Sequence, residues 1–75
     1  MTADEMFKEL GYEKNEEPLE LGKEKIPYIC YTDNYHYKSV HFNLDKKFFT
    51  VSCMNENYAK ILQAINKKVE ELQWN

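Results

Sequence analysis

Four side chains in this sequence are soft enough to hold a metal: Cys30, His36, His41 and Cys53, with five, four and eleven residues between them. A zinc site wants ligands paired at short spacing, as in C-x2-C or H-x3-H, so that local geometry preorganises two at once. None of these spacings does that, and both cysteines fall in apolar runs where a thiol behaves as a small hydrophobe. No metal and no cofactor is expected. The same residues can be written as a cysteine–histidine dyad, but no flanking sequence supports an activated thiolate. The carboxylate pairs Glu16-Glu17 and Glu70-Glu71 fall in solvated sequence, and the two glycines, Gly11 and Gly22, make no phosphate-cradling loop. A chain of 75 residues also has little room to enclose a substrate. The expectation is a protein that is not an enzyme.

What stands out instead is aromatic density. Tyr28, Tyr31, Tyr35, Tyr37, Phe42, Phe48 and Phe49 are seven aromatics within 22 residues. A sheet has two faces, and one helix covers only one of them. With Phe42 and Phe49 turned to the helix, Phe48 turns away and some of the tyrosines join it. Tyr28, Tyr31, Tyr35, Tyr37 and Phe48 are therefore the candidate protein-binding residues, since tyrosine offers rigid contact area with a polar tip. Cross-strand aromatic pairing that only stabilises a small sheet accounts for the same residues.

The alternative surface is cationic: Lys46, Lys47, Lys60, Lys67 and Lys68. It is the set a nucleic-acid binder would use, but the chain contains no arginine, so bidentate phosphate or guanine recognition is missing. The net charge of −3 is uneven: −5 over residues 1–24 and +2 over residues 25–75. The acidic arm works against a general affinity for phosphate backbones.

The elements that must position these residues follow from periodicity and punctuation. Thr2-Ala3-Asp4-Glu5 reads as a capping box, and Met6, Phe7 and Leu10 share a face ahead of Gly11, which predicts a helix over 3–10. Residues 13–25, broken by Asn15, Pro18 and Gly22, read as an irregular acidic connection with a brief extended piece at Leu19–Leu21. The period then changes to two, predicting strands over 26–32, 38–44 and 48–54 with turns at Asp33-Asn34 and Asp45-Lys46-Lys47. Pro27 belongs at a strand start or an edge. On these strands Val40, Phe42 and Leu44 point inward, while Phe49, Val51 and Cys53 share one face and Phe48, Thr50, Ser52 and Met54 the other. Asn55 is a natural N-cap, and Tyr58, Ile61, Leu62, Ile65, Val69 and Leu72 recur at helical spacing, predicting a helix over 56–73. The fold class is α+β in the order α-β-β-β-α: a three-stranded antiparallel meander with the long C-terminal helix on one face, in a single domain over 1–75.

At this length there is one hydrophobic core and no more. A hydrophobic fraction of 43% with 15% aromatics is enough to build it. No apolar run approaches the ~18 residues that span a bilayer, and the acidic start is unlike the basic region of a signal peptide. A cytoplasmic protein with reduced cysteines, and no membrane partner, is expected.

The segments ADEMFKELGYEK near the N-terminus and LQAINKKVEELQW near the C-terminus resemble the ends of small uncharacterised proteins of phages and prophages in low-GC Gram-positive bacteria. The resemblance covers about 25 residues and implies a provenance: proteins of that kind commonly bind a host or phage macromolecule. It carries over no functional residues. The element order is also that of double-stranded-RNA-binding domains, a likeness of topology alone. Those domains place lysines at the start of the second helix, and here that stretch is Asn55-Glu56-Asn57 with Lys60 alone nearby. The leading expectation is an accessory protein acting on an unknown host or phage protein through an aromatic sheet face. A nucleic-acid binder is the runner-up, and a homodimer with Trp74 at its contact is the third reading.

Overall fold

The computed structural model describes residues 1–16, 19–33, 35, 38–52 and 58–74. Its first helix, α1 (Ala3–Glu9), begins where the sequence says it must. The Glu5 N–H donates to the Thr2 hydroxyl at 3.2 Å, and the Thr2 N–H donates to the Glu5 carboxylate at 2.9 Å, closing the capping box. At the other end Gly11 takes φ 90°, the Tyr12 N–H reaches the Phe7 carbonyl and the Gly11 N–H reaches that of Lys8, both at 3.0 Å. This is the glycine-closed helix end of the Schellman type, and its usual apolar contact is present as Tyr12 set edge-on to Phe7 at 5.8 Å.

The connection is more ordered than its composition predicts. β1 (Glu13–Asn15) pairs antiparallel with β4 (Tyr28–Asp33), while β2 (Leu19–Leu21) and β3 (Glu24–Ile26) form a separate hairpin about Gly22, φ 63°. The predicted strand over 26–32 is thus cut at Pro27, which has no N–H to give a ladder. β5 (Lys38–Asn43) and β6 (Phe48–Ser52) complete a four-stranded antiparallel sheet in the order β1-β4-β5-β6, one strand more than the expected meander. The strand predicted over 38–44 stops one residue early because Asn43 turns the chain. Its side-chain oxygen accepts from the Asp45 and Lys46 N–H groups at 3.0 and 2.8 Å. The Asn34 turn position, Cys53 and Met54 of the third predicted strand, and the Asn55 cap lie outside the described residues.

The second helix, α2 (Tyr58–Glu71), packs with α1 on one face of the sheet, giving the predicted α+β architecture with its long C-terminal helix. Phe7, Tyr12, Ile29, Tyr31, Val40, Phe42, Ile61, Ala64 and Ile65 form the core between them. The Ala3 N–H donates to the Glu71 carboxylate at 2.8 Å, tying the two ends of the chain. α2 closes as α1 does, with Gln73 at φ 59° in the glycine position and the Trp74 N–H on the Val69 carbonyl at 3.1 Å. That closure turns Trp74 back onto the sheet, edge-on to Phe42 at 6.1 Å. No helix among the described residues is long and apolar enough to cross a membrane.

Candidate functional site

Register decides what each aromatic does. Tyr31 stands opposite Val40, and Val40 opposite Val51; Ile29 stands opposite Phe42, and Phe42 opposite Phe49. These residues form the face under the helices. Tyr28, Cys30 and Thr32 of β4, Ser39, His41 and Asn43 of β5, and Phe48, Thr50 and Ser52 of β6 form the other.

The five residues singled out for protein binding therefore separate. Tyr31 is a correction: it is 1% exposed, stacked on Phe7 with ring centroids 4.0 Å apart, and its hydroxyl donates to Asp4 at 2.5 Å. It belongs to the core because Tyr31 alternates with Tyr28 and Cys30, and α1 supplies both a ring and a carboxylate to its face. Desolvation first, then the bond to Asp4, hold its phenol far above the ordinary tyrosine range. Tyr28 is half-buried on the opposite face and hydrogen-bonds His41 Nδ1. Tyr35 is exposed in the β4–β5 connection. Phe48 is 48% exposed on the last strand. Tyr37 and His36 lie outside the described residues.

Phe49, expected inward, is on the helix side but 40% exposed, because β6 is the edge strand and the helices do not reach over it. Phe48, Phe49, Val69 and Trp74, with Lys47, line one open cleft of about 390 Å³. Phe49 lies 6.0 Å from Phe42 and Trp74 lies 6.1 Å from the same ring, so the cleft wall is anchored in the core. This apolar end of the sheet is the candidate site. Sequence reasoning found Phe48 but missed Phe49 and Val69 as members, since only strand order tells which strand is the edge.

The open face also carries a close approach of chemistry-bearing side chains. Cys30 faces His41 across the β4–β5 ladder, Sγ to Nε2 3.7 Å, with the Tyr28 hydroxyl on the other ring nitrogen. Burial pushes the Cys30 thiol up, against the opposing effect of a bond from Tyr28. A thiol raised in this way stays in its neutral form. Among the described residues no group of three or more His, Cys, Asp or Glu is placed to hold a metal ion.

The lysines disperse as well. Lys46 and Lys47 are exposed in the β5–β6 turn, and Lys60 is exposed at the start of α2 beside Glu9 in a cleft between the helices. Lys67 is half-buried. Lys68 is the second correction: it is 7% exposed, 3.5 Å from the Asp4 carboxylate and 5.9 Å above the Tyr31 ring. Asp4 recruits it to neutralise a carboxylate drawn in beside the core, so it is withdrawn from any cationic surface. No family model matches this chain, and neither a curated protein nor a solved structure does.

Proposed function

We propose that this protein works by binding another polypeptide chain through the aromatic end of its sheet, with Phe48, Phe49 and Trp74 as the anchoring side chains. The observation that carries this reading is that all three residues line one open cleft at the edge of the sheet, Phe49 and Trp74 from the helix side and Phe48 from the other. A domain this small needs its large apolar side chains for its own core, yet two phenylalanines on the same edge are left 48% and 40% exposed. Aromatic anchors set around a well-packed centre are where binding energy concentrates in protein interfaces. The terminal segments' resemblance to small phage and prophage proteins supports an accessory role on a host or phage protein.

The test is nuclease-treated capture from a host lysate with the tagged wild type and with Phe48→Lys, which changes an exposed side chain and leaves the core intact. A protein held stoichiometrically by the wild type, in low and high salt, and lost with Phe48→Lys is the expected result. Apolar contacts are little affected by screening, whereas a lysine surface on nucleic acid loses affinity steeply with salt. No protein in the nuclease-treated lane, with nucleic acid recovered in an untreated lane, released by salt and indifferent to Phe48→Lys, would overturn the reading.

A further inference from the structure

The two edges of the sheet are treated differently. At one edge β1 is three residues long, Glu13-Lys14-Asn15, all exposed and two of them charged. Short length and charge are how natural sheets keep an edge from pairing with another chain. At the other edge β6 reads Phe48-Phe49-Thr50-Val51-Ser52, five residues with no charge and no proline. Among the described residues it pairs only with β5. Phe48, Phe49, Thr50 and Ser52 are exposed and Val51 is half-buried, so the strand lies open beside the apolar cleft, and it has neither the short length nor the charge of β1.

From this we infer that β6 is the seam of a homodimer, in which the same strand of a second copy adds antiparallel to it across a twofold axis at Thr50. The inference rests on the reading that the aromatic end of the sheet binds protein, and it names the partner as a second copy of this chain.

The register follows from the side chains. A twofold axis normal to the sheet keeps the helix-bearing faces of both copies on the same side, so each residue must meet one of its own face. Centring on Thr50 sets Thr50 against its own copy, Phe49 against Val51 and Phe48 against Ser52, and uses every residue of the strand. Threonine pairs and aromatic–β-branched pairs are favourable cross-strand neighbours, and like charges opposite one another are not. This register contains both favourable pairs and sets no charge against a charge. The exposed Phe49 ring gains an apolar partner where a monomer leaves it to water.

Charge placement agrees. Asp4, Glu5 and Glu9 belong to α1, Glu13 to its neighbour β1 and Glu16 to the residue after it, on the side of the sheet away from β6, where Lys14 bridges Asp4 at 2.8 Å and Glu16 at 2.7 Å. Joining at β6 keeps the acidic sides of the two copies at the far ends of the eight-stranded sheet. Lys46 and Lys47 of each copy fall at opposite ends of the seam. Association through β1 would instead bring two glutamate-bearing edges together.

The experiment is mass measurement of the purified chain in solution over a wide concentration range, with three variants. The wild type is expected at twice its 9.0 kDa mass. Thr50→Lys, an exposed position, sets like charges against each other at the axis and is expected to give a monomer with an unchanged circular dichroism spectrum. Thr50→Cys in a Cys53→Ser background is expected to form a covalent dimer on mild oxidation, and Tyr35→Cys in the same background is not. A wild type that stays at 9.0 kDa, or a dimer untouched by Thr50→Lys, overturns the inference. If such a monomer still captures a different protein that Phe48→Lys releases, the interaction reading stands and only the second copy is wrong. If it captures none, both fall.

Discussion

Replacing Tyr31 separates a core residue from a surface one. Its ring is 1% exposed, lies parallel to Phe7 at 4.0 Å and meets Phe42 edge-on at 5.9 Å. Deleting a buried aromatic ring costs about 3–5 kcal/mol through lost transfer energy and the cavity left behind. At about 0.05–0.15 kcal/mol per residue, a domain of this size has about 4–11 kcal/mol in all. Tyr31→Ala therefore removes about a quarter or more of the stability and leaves a partly unfolded protein at the low end of that range. Tyr31→Phe keeps the ring and removes only the hydroxyl that donates to Asp4 at 2.5 Å. A hydrogen bond to a charged group is worth about 1.5–3 kcal/mol. Asp4 is 44% exposed and keeps Lys14 at 2.8 Å, so the expected loss falls below that range, at about 1 kcal/mol. Urea unfolding followed by Trp74 fluorescence reads both values, because Trp74 packs on Phe42 in the same core. A Tyr31→Ala midpoint equal to wild type, with loss of a bound protein, would refute the burial argument and return Tyr31 to the binding surface.

Three further outcomes follow from the geometry. Gln73 occupies the left-handed position that ends α2, at φ 59°, so Gln73→Gly is expected to stabilise by about 1 kcal/mol; a lower urea midpoint would contradict it. Burial alone would raise the Asp4 carboxyl, but hydrogen bonds from Lys14 and Tyr31 and the Lys68 and Lys14 charges outweigh it and hold it below its ordinary 3.8. A carboxyl depressed in the folded state lends stability that is present above 3.8 and lost as pH falls through the lower folded value. Unfolding midpoints measured across that acid range should fall for wild type, and Asp4→Asn should flatten part of the slope; parallel curves would remove Asp4 from the account. Phe48→Lys should shift stability by no more than about 0.5 kcal/mol, since the ring is half exposed, and a larger loss in the same urea titration would mark it as structural.

The sequence by itself determined the elements whose signals are local. Thr2, Glu5 and Gly11 bound α1 within a few residues of one another, and the capping and closing bonds are those the residue types require. The period of α2 and the alternation in β5 and β6 are likewise short-range patterns, so the α+β class was legible. Tertiary structure decided what depends on partners far along the chain. Glu13-Lys14-Asn15 has no apolar alternation and becomes a strand only because β4 offers its free edge. β4 carries large or apolar residues on both faces, Ile29 and Tyr31 against Tyr28 and Cys30, so alternation alone does not say which side is buried. Asp4 settles it from 27 residues away, taking the Tyr31 hydroxyl and the Lys68 ammonium together. The exposure of Phe49 and the open seam of β6 depend on strand order, and strand order is a non-local pairing that no window of neighbouring residues contains.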